Sequence, residues 1–419
     1  LEVSYAMNLT ICGNGGEVGR SAFLLDDGKK KIMLDYGVKL QPEPPQYPML
    51  AKPDAVILTH AHLDHSGSLP RLYANRRPTL VMNDVTLELT NLLVEDSIKV
   101  GKKQGYPVPF GIPELRRMNK ATKFANYGEN FRIGSMKCSL HDAGHIPGSA
   151  SILVENGKRI FYTGDIQTES SNLLHSCRLP KKVDVLILES TYGERIRRKR
   201  GDEEQRFLES VEEALAKEEI ALIPVFAVGR AQEILLLLEK YANKIALDGM
   251  AKKASDIISQ YGAYLKDRKR LKEILKKVHW VHTRKQRNQA LKKYPIAVSS
   301  AGMLGGGPAI HYLREIKARP ESKVIFAGFL VEDSPGRNLI QTKIFETAEE
   351  RFHVHCELEQ FELSAHADHN GLLSIIRKTN PEKVICIHGD STKSFANIIE
   401  NEFPGIEAIA PKNGDVIKI

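Results

Sequence analysis

The chain has 419 residues and a mass of 46.9 kDa, with 42% hydrophobic and 27% charged residues. That is enough for two domains with cores of their own, and it argues against a disordered chain, a fibre or a membrane-spanning protein. The formal net charge of +8 is uneven: the twelve Lys/Arg from Lys266 to Lys293 face only Asp267 and Glu273, so this segment carries +10 and the other 391 residues sum to −2. A polyanionic partner is therefore a local expectation.

Residues 21–37, SAFLLDDGKKKIMLDYG, predict two strands joined at an Asp27-Gly28 turn, since Asp-Gly tolerates the positive φ angles of a tight hairpin. The second of these strands ends in Asp35. The run DAVILTH (54–60) is short, apolar and ends at His60. Residues 149–165 repeat the hairpin, with Asn156-Gly157 at the turn and Asp165 at the end, and VDVLILES (183–190) and EKVICIHG (382–389) deliver Glu189 and His388. Buried strands that all present polar residues at their carboxyl ends describe an α/β layered sandwich with one shared site. From about residue 194 to 345, strand and helix alternate: ALIPVFA, a helix from Arg230 to Tyr241, KIALDG, a helix near 251–265, PIAVSSA, a helix from Pro308 to Ala318, then KVIFAGF. This pattern predicts a doubly wound parallel unit. Site-type residues on both sides make it an insertion, dividing the chain at 1–193, 194–345 and 346–419, with its loops expected over the site.

The cysteines, Cys12, Cys138, Cys177, Cys356 and Cys386, are odd in number and never form a CxxC pair, which fits a reducing cytoplasm. No apolar run approaches the roughly 20 residues of a membrane helix, so no membrane is expected. Met7 reads as a natural start, with Leu1–Ala6 ahead of it.

The chemistry concentrates in Thr59-His60-Ala61-His62-Leu63-Asp64-His65. In an extended segment residues two apart share a side, so His60 and His62 can face one cation, while Asp64 and His65 at the start of a helix can reach a second. Two metals need further ligands, and His145 in AGHIPGS, Asp165 in YTGD and His388 in IHGD are each flanked by a small residue or glycine. Asp165 is the natural bridge. Asp35 is expected one shell out, orienting a ligand histidine, since metal-bound imidazoles usually hand their other N–H to a carboxylate or carbonyl.

In the order HxHxDH at His60 to His65, His145, Asp165, Glu189 in ESTYG, His366 in SAHAD and His388 in HGD, the chain resembles the metallo-β-lactamase-fold nucleases of the β-CASP group. The resemblance spans nearly the whole sequence and implies a metallo-β-lactamase αββα sandwich with an inserted doubly wound β-CASP domain. It implies two Zn2+ per chain, with Mn2+ or Mg2+ as substitutes. His60, His62, His145 and Asp165 would hold one ion, and Asp64, His65, Asp165 and His388 the other. Glu189 and His366 would form a pair near the leaving group, His366 protonating the departing 3′ oxygen, with Asp64 also counted among the catalytic residues. A histidine at position 388 implies RNA rather than DNA; the motif reads HGD where HGE is usual. Family resemblance, to archaeal members classed with ribonuclease J and with the cleavage and polyadenylation specificity factor endonuclease, also implies a homodimer acting on single-stranded RNA. The leading expectation is a 5′ to 3′ exoribonuclease of the ribonuclease J type; an endoribonuclease of the cleavage factor type and a non-catalytic RNA-binding scaffold are the alternatives.

Substrate contacts are expected from Ser300, Gly305 and Gly306, in a glycine-rich loop that opens a helix at Pro308, and from Ser364 and Arg230. The basic segment holds the only tryptophan, Trp280, between His279 and His282. Cations beside an aromatic ring suit single-stranded nucleic acid, whereas a solvated helix face with Trp280 in the core is the plainer reading.

Overall fold

The computed structural model describes residues 7–419, so the reading of Leu1–Ala6 lies outside the described residues. The chain forms two units. One comprises residues up to Ser170, His175–Ile196 and His366–Ile419; the other comprises Ser171–Leu174 and Arg197–Ala365.

The first unit contains two seven-stranded sheets. The first runs, in spatial order, Val416–Lys418, Asn8–Gly13, Ala22–Asp26, Lys31–Leu34, Ala55–Ile57, Thr79–Met82 and Thr122–Phe124. The second runs Glu407–Ile409, Lys383–Ile387, Val185–Glu189, Lys158–Tyr162, Ala150–Asn156, Met136–Asp142 and Asn130–Ile133. The two-residue alternation of each strand builds the layers. Ile32, Leu34 and Ile57 pack with Ile160, Val185, Ile187 and Ile385 in a core between the sheets. Their neighbours Met33, Val56 and Leu58 face Val94, Ile98, Leu115 and Met118 of the helices Asp84–Gln104 and Ile112–Lys120. Leu186, Leu188, Val384 and Cys386 likewise face Leu372, Ile376, Phe395 and Ile399 of the helices His369–Thr379 and Thr392–Glu402. Helix, sheet, sheet and helix are thus stacked in the expected αββα order. Both expected hairpins are present, with Gly28 at φ +82° and Gly157 at φ +77° in their turns.

The second unit is built on a six-stranded sheet in the order His279–Trp280, Ile245–Asp248, Ile296–Ser299, Ala221–Pro224, Lys323–Ala327 and Glu357–Phe361, every pair parallel. Helices Arg230–Leu237, Met250–Gln260 and Pro308–Ile316 fall between strands as the doubly wound reading requires. The helix expected to reach Tyr241 ends at Leu237 and continues as a 3-10 turn, Glu239–Lys244. The expected limit at residue 345 is corrected to Ala365, because Glu357–Phe361 adds to the edge of this sheet beside Lys323–Ala327. No helix among the described residues is long and apolar enough to cross a membrane.

Candidate metal centre

In the first unit, the strands Lys31–Leu34 and Ala55–Ile57 are parallel, as are Lys158–Tyr162, Val185–Glu189 and Lys383–Ile387. Asp35, His60, Asp165, Glu189 and His388 all stand at or just past the carboxyl ends of these strands. Glycine permits the close approaches. A Cβ at Gly389 would lie 2.5 Å from the Ser190 carbonyl oxygen, and one at Gly164, where φ is +54°, would lie 2.9 Å from the Thr59 side chain.

The structure brings all seven expected ligand residues together. His60, His62, His145 and Asp165 form one group that could hold a cation, and Asp64, His65, Asp165 and His388 form a second. Asp165 belongs to both. Its Oδ2 lies 3.5 Å from Nε2 of His60 and of His145, and its Oδ1 lies 3.1 Å from Nε2 of His65 and 3.7 Å from Nε2 of His388. His62 Nδ1 and His145 Nε2 are 3.1 Å apart, and His388 Nε2 is 3.3 Å from Asp64 Oδ2.

Hydrogen bonds behind this cluster fix which imidazole nitrogen faces it. Asp35 is fully buried and accepts from the Thr59 amide at 2.7 Å, from Thr59 Oγ1 at 2.8 Å, from the Tyr162 hydroxyl at 2.7 Å and from His65 Nδ1 at 2.7 Å. His65 therefore carries a proton on Nδ1 and turns Nε2 toward Asp165, the nitrogen a cation would take. Thr59 spends its one hydroxyl proton on Asp35, so its oxygen accepts from His60 Nδ1 at 3.0 Å. Thr191 repeats the device: its hydroxyl donates to Glu189 Oε2 at 2.6 Å and accepts from His388 Nδ1 at 3.0 Å. Thr59, Thr191 and Tyr162 were not legible as site residues, because a single hydroxyl carries no motif.

The donor set fits divalent cations of the zinc kind, imidazole nitrogens with carboxylate oxygens. Among the described residues His60 Nε2 is buried with no hydrogen-bond partner, although it faces the cluster. Burial holds the His60 and His62 pKa values below the ordinary one, whereas around Asp64, His65 and His388 the electrostatics favour positive charge. Burial opposes a charged His65, yet Asp165, Asp64 and Asp35 outweigh it and hold its pKa well above the ordinary value. Burial likewise opposes a charged His388, and Asp165 and Asp64 push it up to about 9. Asp165 is held well below the carboxylate range by His388, His65 and His366 despite its own burial. A divalent cation answers the same demand for positive charge.

Glu189 and His366 pair beside this cluster. His366 Nδ1 lies 3.0 and 2.9 Å from the two Glu189 oxygens, and its Nε2 lies 3.8 Å from Asp165 Oδ2. Glu189 is fully buried and also accepts from the Ile166 amide at 2.8 Å, while Gln167 donates to the His366 carbonyl at 2.8 Å. Burial works against a charged His366, but Glu189 and Asp165 raise its pKa.

The five expected substrate contacts all lie in the second unit. Ser300 is buried and its Oγ accepts from the Met250 amide at 2.9 Å, so that hydroxyl is engaged in holding a neighbouring helix terminus. Gly305 and Gly306 have open space where a Cβ would stand. Arg230 begins the helix Arg230–Leu237 and passes close to Gly328, and Ser364 is buried, its carbonyl accepting from Arg200 Nη1 at 3.4 Å.

An αββα sandwich with imidazoles and carboxylates converging at its strand ends defines a metal-dependent hydrolase. Residues 15–218 match the metallo-beta-lactamase superfamily, residues 231–339 the Beta-Casp domain, and residues 351–411 the Zn-dependent metallo-hydrolase RNA specificity domain. The chain is 36% identical to a Methanocaldococcus jannaschii protein named "Probable RNase MJ4", covering 99% of this chain and 100% of that one. It is 33% identical to RNase aCSPSF2 of Saccharolobus solfataricus (98% and 85% covered) and 32% identical to transcription termination factor FttA of Methanocaldococcus jannaschii (99% and 72%). The chain belongs to the β-CASP family of zinc-dependent metallo-β-lactamase-fold hydrolases. A solved structure of a protein of unknown function from Enterococcus faecalis V583 shares the fold, with a TM-score of 0.64 over 99% of this chain and 100% of that one at 16% identity.

Proposed function

We propose that the chain is a zinc-dependent ribonuclease that hydrolyses phosphodiester bonds of single-stranded RNA and holds two ions, Mn2+ or Mg2+ being able to replace Zn2+. The observation that carries this reading is the convergence of two four-residue donor sets on Asp165 with the Glu189–His366 pair alongside. His60, His62, His145 and Asp165 would hold one ion, and Asp64, His65, Asp165 and His388 the other. When bound, such a pair supplies a water of lowered pKa and positive charge beside the phosphate. The protein's own part is orientation and proton handling. Asp35, Thr59 and Thr191 keep three imidazoles in the tautomer that leaves Nε2 as acceptor. Glu189 fixes the His366 ring through Nδ1, which leaves Nε2 to deliver a proton to the departing 3′ oxygen. The product is then a 5′ phosphate.

Within this activity we read internal cleavage of the cleavage and polyadenylation factor type. The ribonuclease J type of 5′ to 3′ exonuclease, expected at first, finds no specific support among the relatives, whose names include RNase aCSPSF2 and FttA. A non-catalytic scaffold is disfavoured because all seven ligand-type residues are present and gathered. The setting is a reducing cytoplasm, which the free state of all five cysteines supports. A time course on 5′-labelled RNA is the test: internal fragments that shorten with time support this reading, and mononucleotide from the outset restores the exonuclease. The homodimer belongs to the same proposal, and light scattering should return twice the 46.9 kDa chain mass.

A further inference from the structure

The aromatic residues of the basic segment form an arrangement of their own. The strand His279–Trp280 is an edge of the six-stranded sheet, paired with Ile245–Asp248 on one side only. Alternation along this extended segment sorts its side chains. Val281 is buried, and the His279 ring stacks on Tyr294 with centroids 4.4 Å apart and planes 8° from parallel. Trp280 and His282 face the other way, their planes 9° from parallel and their centroids 6.5 Å apart. That spacing is close to twice the ~3.4 Å rise of stacked bases along a strand, the width of a parallel-walled slot one base thick.

The slot has a rigid wall and an open one. Trp280 is half-buried and its Nε1 donates to the Leu275 carbonyl at 2.8 Å, tying the ring to the last turn of the helix Arg268–Lys277. His282 is exposed. Seven of the segment's twelve cations bear on the slot, in two sets. Arg270, Lys276 and Arg287 are committed to Glu239, Glu273 and Asp248. Lys277, Arg284, Lys285 and Lys292 are not: among the described residues they make no ion pair, and all but Arg284 and Lys285 stand at the end of a helix or beyond it. Parallel rings flanked by uncommitted cations match a strand whose bases are free to leave the stack and whose phosphates need counter-charge. A base-free polyanion would engage the cations alone, and a duplex has no base to offer the slot.

We propose that Trp280 and His282 form a base-stacking site for single-stranded RNA, with Lys277, Arg284 and Lys285 holding the adjoining phosphates. This rests on RNA being the substrate. Because Trp280 is the only tryptophan in the chain, its fluorescence reports the site directly. The zinc-loaded full chain is mixed with oligouridylate in a stopped-flow instrument and emission is read before turnover, with heparin as a polyanion lacking bases. Saturable quenching by RNA, absent with heparin, is the expected result. His282→Ala changes an exposed residue and should weaken oligouridylate binding about 5- to 150-fold, the loss of one stacked base; Trp280→Ala, which removes the fluorophore and is read by the anisotropy of dye-labelled oligouridylate, should do the same. If the wild-type chain cuts RNA while emission is unchanged, or heparin quenches equally, or His282→Ala binds as tightly as wild type, the site is refuted and the ribonuclease reading stands. Saturable quenching without any cleavage of RNA would refute the ribonuclease reading and leave the site intact.

Discussion

Asp35→Asn is the most discriminating single change at the metal centre, because it keeps the shape of the side chain and alters only what its atoms can accept. The groups around Asp35 are all donors: the Thr59 amide, the Thr59 hydroxyl, Tyr162 and His65 Nδ1. An amide must turn its NH2 toward one side of that ring of donors. Placed toward Tyr162 and His65, it forces His65 to accept at Nδ1 and so to carry its proton on Nε2, where no lone pair is left for a cation. Placed toward the Thr59 amide, it opposes one N–H with another at 2.7 Å. Either way at least two hydrogen bonds to a buried charge are lost, each worth about 1.5–3 kcal/mol, so the fold should lose about 3 kcal/mol or more. Loss of such a supporting carboxylate should also weaken zinc binding about 10- to 100-fold. Urea denaturation measures the first quantity and competition with a chromophoric chelator the second. Zinc affinity equal to wild type in a variant that is merely less stable would refute the tautomer argument and leave Asp35 a structural residue.

His366→Ala should keep its full metal content by elemental analysis while turnover falls about 10²- to 10⁴-fold, the contribution of a general acid; a parallel loss of metal would make His366 a ligand, which its place near Asp165 and Glu189 permits. Thr191→Val removes the hydroxyl between Glu189 and His388, and chelator competition should show zinc held about 10-fold more weakly. In the second unit, buried Glu233 accepts from Arg200 Nη2 at 2.6 Å and from the amides of Asn172 and Leu173. Burial opposes its charge, but Arg200 and those amides hold its pKa below the ordinary value. Its stabilisation is therefore complete above the unfolded carboxylate pKa of about 4.3 and lost as the pH falls through the lower folded value. Thermal melts from pH 6 downward should show that loss in wild type and a flatter profile in Glu233→Gln, whose stability near pH 7 should be about 3 kcal/mol lower.

Much of this was legible because local chemistry and tertiary role coincide. Asp27-Gly28 and Asn156-Gly157 mark tight turns whatever surrounds them, and the apolar runs ending at His60, Glu189 and His388 announce both a buried strand and what it delivers. Where the deciding partner lies far along the chain, the sequence is mute. ELEQF at 357–361 has too little apolar character to read as a sheet strand, yet its backbone pairs with Lys323–Ala327 and extends the second unit past residue 345. Ser171–Leu174 belongs to that unit through Glu233, some sixty residues on. Ser300, expected as a phosphate contact in its glycine-rich loop, also accepts from the Met250 amide, a partner set by tertiary packing that the sequence does not show.

Chain order at the centre bears on when such a hydrolase could become active. On a growing chain, the donor set of His60, His62, His145 and Asp165 is complete as soon as Asp165 has been made. The second set waits for His388, which is delivered only when Lys383–Ile387 slots in beside Val185–Glu189 after all of the second unit has been synthesised. His366 arrives almost as late. A nascent chain would thus lack the second donor set, and His366 with it, until all but the last few dozen residues had been made.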